Sequence, residues 1–162
     1  MEHAEVHRVL DALAAAGSRA WVAGGWGVDA LVGRQTRPHR DLDLALDATG
    51  EAAALGALAP LGYAVETDWR PVRVELAAPG GRWVDLHPVS FDARGGGTQA
   101  GLDGVTFDYP AGCFVTGTIG GRVVGCLSAA QQVAFYTGYP PRAVDLADLA
   151  LLGRLGARRP VG

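Results

Sequence analysis

A chain of 162 residues with 49% hydrophobic and 19% charged residues is large and apolar enough for one globular domain with its own core, which excludes a disordered protein. Net charge is −3 and all 14 basic residues are arginine, so the chain lacks both the broad basic surface of a nucleic-acid-binding protein and any lysine for a P-loop or Schiff base. No apolar run reaches the roughly 18 residues of a membrane span, and Glu2, His3 and Glu5 do not make the basic head of a signal peptide; a cytoplasmic protein with no membrane partner is expected.

Val6, Val9, Leu10 and Leu13 recur at helical spacing, which predicts an amphipathic helix over 3–16, stopped by Gly17. Trp21, Val22 and Ala23 form a short apolar strand, and Gly24-Gly25 then lets the backbone turn tightly and come close to a ligand. Residues 26–32 read as a short helix whose free N–H groups point back at the Gly-Gly turn and favour an anion there, phosphate above all. A polar link over 33–40 brings in Arg34, Arg37 and His39 before a second strand over 41–46. Its alternation puts Asp41 and Asp43 on one face and Leu42, Leu44 and Leu46 on the other. Two carboxylates at strand spacing repel unless a cation lies between them, and an oxygen-only pair suits a hard ion such as Mg²⁺, held together with substrate phosphates. Gly-Gly turn, helix N-terminus and Asp-x-Asp together describe a metal–nucleotide site, although each alone also fits an ordinary turn or a solvated face.

Residues 51–61 read as a helix closed by Pro60 and Gly62, and 63–67 as a short strand. The runs 72–76 and 83–89 alternate on either side of Pro79-Gly80-Gly81 and read as an antiparallel hairpin, with Val72, Val74 and Leu76 inward and Arg73 and Glu75 on the opposite face. On its second strand Trp83, Asp85 and His87 share a face. If the sheet places them beside Asp41 and Asp43, Asp85 becomes a third carboxylate at the metal and a general base for an attacking hydroxyl. Read alone, Asp85 is equally a rim carboxylate paired with Arg73 or Arg82, and His87 a satisfied, partly buried histidine. Residues 92–104 are glycine-rich and read as a loop, and 107–115 and 117–124 hold short strands with Gly120-Gly121 as a hairpin turn. Ser128 caps a helix over 129–137, and Tyr139-Pro140-Pro141 separates it from a last helix over 143–155, where Asp145 and Asp148 read as a solvated face opposite Val144, Leu149 and Leu152. Cys113 and Cys126 lack metal spacing and read as small buried apolar residues.

These residues resemble a known family. Gly24-Gly25-Trp26 with Asp29, then Gly33-Arg34-Gln35-Thr36-Arg37 and His39 leading to Asp41-x-Asp43, is similar to the active-site signature of antibiotic nucleotidyltransferases of the polymerase-β superfamily. The likeness continues through Arg73-x-Glu75-Leu76, Val84-Asp85-Leu86-His87-Pro88, Tyr109-Pro110, Gly117-x-Ile119-x-Gly121, Cys126-Leu127-Ser128 with Gln132, Gly138-Tyr139 and Asp145-x-x-Asp148. It is strongest to the small lincosamide nucleotidyltransferases and weaker to the aminoglycoside 2″-adenylyltransferases.

The resemblance implies an α+β fold, a polymerase-β-like palm with a mixed sheet flanked by helices and a small C-terminal helical part. A single domain over 1–162 is expected, with a catalytic core to about 125 and helices over 128–156. It further implies ATP or another nucleoside triphosphate held by Gly24, Gly25, Trp26, Arg37 and His39, with Mg²⁺ on Asp41, Asp43 and Asp85. Asp85 then acts as the base that activates the acceptor hydroxyl. Glu75 and His87 are the candidates for contact with a small hydroxylated acceptor. His87 stands where the aminoglycoside enzymes carry an acidic residue, which favours a lincosamide. An aminoglycoside, another metabolite, or a non-catalytic nucleotide-binding domain are the alternatives, and a homodimer could complete the acceptor pocket. Gly25-x-Gly27-x-x-Ala30 with Asp47 also formally matches a dinucleotide fingerprint, but the hairpin-linked strands beyond residue 63 oppose that fold.

Overall fold

The computed structural model describes residues 1–136 and 140–156; Thr137, the expected end of the fourth helix, and Gly138-Tyr139 of the family resemblance lie outside them. In chain order the elements are α1 (His3–Ala15), β1 (Ala20–Val22), α2 (Gly24–Val32), β2 (Asp41–Asp47), α3 (Glu51–Leu58), β3 (Ala64–Trp69), β4 (Arg73–Ala78) and β5 (Arg82–Phe91). They continue with β6 (Gly97–Ala100), β7 (Thr106–Tyr109), β8 (Phe114–Ile119), β9 (Arg122–Leu127), α4 (Ala129–Ala134) and α5 (Ala143–Gly156). Among the described residues, no helix is long and apolar enough to cross a membrane.

The strands form one mixed sheet in the order β3-β4-β5-β2-β1-β9-β8, with β6 and β7 extending from the end of β5. β2 runs parallel to β5 and β1 parallel to β9, while the other pairs are antiparallel. This is the mixed α+β architecture expected, and it removes the dinucleotide-fold alternative. Consecutive β1 and β2 are antiparallel, and Asp47, the supposed ribose acid, accepts hydrogen bonds from Arg19 Nε at 3.1 Å and from the Thr49 backbone N–H at 3.1 Å.

Alternation decides which face of the two central strands is dry. Leu42, Leu44 and Leu46 of β2 and Val84 and Leu86 of β5 have no exposed surface and meet Val6, Val9 and Leu13 of α1 and Ala54 and Leu58 of α3. Each such side chain stabilises the fold by about 1.5–3 kcal/mol, enough to fix the register, since a one-residue slip would turn all of them to the other face. The opposite face carries Asp41, Asp43, Asp85 and His87, and a smaller apolar cluster of Ala23, Ala45, Val89, Tyr109 and Leu127 lies beside them. Cys113 and Cys126 are buried free thiols, and burial pushes both up to about 11, in line with their expected role as small apolar residues.

Three local expectations are corrected. α2 begins at Gly24, so the Gly-Gly pair is the first turn of the helix and not a turn before it; Ala23, in extended conformation, is its N-cap. The glycine-rich stretch 92–104 contains β6, where Gly97 is demanded by packing: a Cβ there would lie 2.7 Å from Val89 Cγ1 and 2.8 Å from the Ser90 carbonyl oxygen. The short strands expected within 107–115 are the end of β7 and the start of β8, set apart by a 3₁₀ turn over Ala111–Cys113. Asp145 and Asp148 do not face solvent; both are 2% exposed, whereas Val144 and Leu146 of the same helix are 40% and 55% exposed. Spacing of three and four residues stacks Asp145, Asp148 and Leu152 on one inward face, where arginine partners neutralise the two carboxylates.

Candidate functional site

The parallel pairing of β2 with β5 sets Asp43 directly opposite Asp85, and Asp41 opposite Trp83. This is the juxtaposition the sequence required for a three-carboxylate site. Both strands open into a cavity of about 770 Å³ whose walls come from Gly24 and Gly25, Arg37 to Asp41, His87, Gln99, Tyr109, α4 and α5.

Within it, ligand atoms of Asp43, Asp85 and His87 lie within 4.8 Å of one another, the geometry of a site able to hold a metal ion. Asp85 is 4% exposed; its Oδ2 accepts from Arg73 Nη1 at 2.9 Å, while its Oδ1 is buried without a partner. Burial first, and then the Asp43 carboxylate, push the Asp85 carboxyl up to about 6. An orphaned carboxylate oxygen facing a second carboxylate fits a bound cation, which would satisfy the one and remove the repulsion of the other. Asp85 thus pairs with Arg73, one of the two rim partners expected for it, and also stands opposite Asp43 across the ladder. Arg82 is not its partner and reaches the Pro79 carbonyl oxygen at 2.9 Å and Glu5 at 2.5 Å.

Asp41 lies at the rim, its Oδ2 held by Arg40 Nη2 at 3.0 Å, outside the group of Asp43, Asp85 and His87. Gly24 has φ +56, and a Cβ on it would lie 2.0 Å from Asp43 Oδ2; glycine is what lets the first turn of α2 touch the carboxylate. A Cβ on Gly25 would meet His39 Nδ1 at 2.5 Å and Arg37 Nη2 at 2.7 Å, so both basic side chains close on the same helix terminus. His39 is 4% exposed, and its Nε2 lies 2.5 Å from Asp29 Oδ2; Asp29 Oδ1 accepts from the Thr36 backbone N–H at 3.0 Å. Arg37 Nη2 donates to Asp148 Oδ2 at 2.8 Å, and Tyr136 Oη donates to the same oxygen at 3.2 Å.

Two expected contacts are placed elsewhere. Trp26 is 1% exposed and packs in the core behind the cavity, its ring 4.7 Å from that of His39, so it supports the histidine and does not line the wall. Glu75 sits on β4 opposite Asp85 but off the cavity lining, 3.8 Å from Arg73 Nη2. The structure adds wall residues that sequence spacing did not single out for the site, chiefly Gln99, Phe107, Phe135 and Arg142. Arg142 Nη2 donates to Asp145 at 2.9 Å, and that hydrogen bond holds the Asp145 carboxyl below the usual aspartate range. The aromatic pair Phe107 and Phe135, 5.9 Å apart edge to face, was hidden because the two rings are separated by the β8–β9 hairpin in the chain.

The chain matches the family described as aminoglycoside-2″-adenylyltransferase over residues 5–152. A lincosamide resistance protein of Staphylococcus haemolyticus is 34% identical over 129 residues, 80% of each chain. The crystal structure of the lincosamide antibiotic adenylyltransferase LnuA with lincomycin bound has a TM-score of 0.83 at 32% identity, covering 93% of this chain and 96% of that one. That of ANT(2″)-Ia in complex with adenylyl-2″-tobramycin shares the fold, with a TM-score of 0.77 at 23% identity, covering 96% and 90%.

Proposed function

Because the chain belongs to the aminoglycoside-2″-adenylyltransferase family and is a nucleotidyltransferase, we propose that it transfers a nucleoside monophosphate from a nucleoside triphosphate such as ATP to a hydroxyl of a lincosamide antibiotic. The observation that carries this reading is the pairing of Asp43 with Asp85 across β2 and β5, beside the glycine-led N-terminus of α2. Asp43 and Asp85 would hold Mg²⁺, with Asp41 at the rim; the ion would draw off the negative charge that gathers on the phosphate oxygens. The N–H groups of Gly24 and Gly25, with Arg37 and His39, would receive the triphosphate. Asp85 would take the proton of the acceptor hydroxyl as that oxygen bonds to the α-phosphorus and pyrophosphate departs in line.

Charge pairing supports a lincosamide over an aminoglycoside. Four of the cavity carboxylates already face an arginine: Asp41 with Arg40, Asp85 with Arg73, Asp145 with Arg142 and Asp148 with Arg37. Asp43 faces His87 instead, at 3.4 Å. A polycation finds few uncompensated charges in such a wall, whereas a single amine on an apolar body suits it, with Phe107 and Phe135 offering apolar contact. Residues to about 125 would form the catalytic core and α4 and α5 its helical cover, and a second copy of the chain would cover the exposed Phe107, Val105 and Val144 at the rim. Light scattering on a gel-filtration peak is expected to give twice the monomer mass; a monomer removes the second copy from the proposal.

The test is mass spectrometry after incubation with Mg²⁺, mixed nucleoside triphosphates and separate lincosamide and aminoglycoside panels. One nucleotidyl mass on a lincosamide is expected. An adduct confined to aminoglycosides overturns the acceptor, and loss of metal-dependent nucleotide binding altogether overturns the enzyme assignment at this site. Asp43→Asn is expected to abolish Mg²⁺-dependent nucleotide binding. Asp85→Asn should retain most of that binding with turnover lowered by 10²-fold or more, as removal of a general base requires.

A further inference from the structure

His87 sits in the metal-facing trio, but its other neighbours restrict what it can do there. Its Nε2 lies 3.4 Å from Asp43 Oδ1, and its Nδ1 lies 3.3 Å from Gln99 Nε2. The Gln99 amide is itself held at three points. Tyr109 Oη donates to Gln99 Oε1 at 2.6 Å, and Gln99 Nε2 donates to the Val72 carbonyl oxygen at 3.2 Å. A backbone carbonyl can only accept, so the amide must present its N–H₂ group to Val72 and its oxygen to Tyr109. The reversed amide would set two acceptors against each other at Val72, a costly mismatch for side chains as buried as Gln99 and Tyr109, at 6% and 3% exposure. The second amide hydrogen is therefore aimed at His87 Nδ1, which must accept it. A neutral imidazole that accepts at Nδ1 carries its proton on Nε2.

We infer that Tyr109 and Gln99 are positioning residues that lock His87 as the Nε2–H tautomer, making it a hydrogen-bond donor to Asp43 and excluding it as a metal ligand through Nε2. A metal needs the Nε2 lone pair, which this tautomer does not offer. The cation position is then left to carboxylate oxygens, a set that selects a hard ion. Asp43 is oriented at both ends: His87 holds Oδ1, and Oδ2 points at the glycine-led first turn of α2, where the triphosphate would lie.

This inference refines the proposed function but is read in the metal-free protein, so its failure and that of the acceptor assignment are separate events. The experiment is long-range ¹H–¹⁵N correlation of histidine-labelled protein at about pH 8, where an ordinary imidazole is neutral. The His87 signals are assigned as those lost in His87→Asn. The expected pattern is a single tautomer protonated at Nε2, unchanged when Mg²⁺ is added. A proton on Nδ1, or loss of the Nε2–H pattern on addition of Mg²⁺, overturns the inference. Gln99→Glu replaces the donor at Nδ1 with a carboxylate oxygen and is expected to move the proton from Nε2 to Nδ1. A folded Gln99→Glu protein that retains the wild-type tautomer also overturns it, and if that variant fails to fold the wild-type spectrum still decides.

Discussion

Burial raises the Asp85 carboxyl to about 6 even though Arg73 Nη1 holds one of its oxygens at 2.9 Å, because the Asp43 charge opposite works in the same direction as the lost solvent. Its folded value lies above the 3.8 of an ordinary aspartate, so its contribution to stability is fully present below that value and is lost as pH rises through about 6. At neutral pH the metal-free protein holds a buried carboxylate opposite a second one, a cost that Arg73 offsets only in part. Asp85→Asn is accordingly expected to melt a few degrees above wild type at about pH 7.5 without metal, with the difference closing toward about pH 4. Thermal melts across that range check the sign; a wild type more stable at the higher pH refutes it. A general base must be ionised to take a proton, so turnover should fall by up to about tenfold per unit below about pH 6 with Mg²⁺–nucleotide binding largely kept, as in Asp85→Asn; a pH–rate profile checks it.

At the scale of elements, what alternation governs was legible in the sequence: β2, the β4–β5 hairpin, the β8–β9 hairpin and the dry faces of all of them. Asp43 beside Asp85 followed once β5 was placed next to β2. What composition or distance governs was hidden. Gly97 looks like loop composition but is a glycine squeezed against β5, and the inward face of α5 looked polar because Arg37, which neutralises Asp148, lies 111 residues away. Trp26, a nucleotide contact only by the family resemblance, is carried into the core by the turn of α2. Two glycines separate packing from chemistry. A Cβ on Gly117 of β8 would lie 2.4 Å from the Ala30 carbonyl oxygen of α2, a backbone atom that cannot step aside. Gly117→Ala is expected to cost roughly 2 kcal/mol or more in chemical denaturation, while the folded fraction keeps its affinity for nucleotide. Gly24→Ala, which strikes Asp43 Oδ2 and also strains a positive φ, should instead lose metal-dependent nucleotide binding.

Across the whole molecule, the cavity is closed by contacts between the two ends of the chain. Arg37 reaches α5 through Asp148, and Tyr136 reaches the same carboxylate. Breaking a buried, hydrogen-bonded pair on one side leaves the other charge unmatched, so Asp148→Ala is expected to loosen α5 from α2 and α4 while leaving the β2–β5 ladder intact. Hydrogen exchange should speed up in α5 by tenfold or more with β2 and β5 unchanged; uniform acceleration would mean that the pair holds the entire fold and not the helix alone. The same long-range closure bears on how the protein is made. At about 5–20 residues per second, Arg37 leaves the ribosome several seconds before Asp148 is even translated. During that interval the arginine has no carboxylate from α5 to bind. The wall that α5 supplies is thus the last part of the cavity to be completed during synthesis.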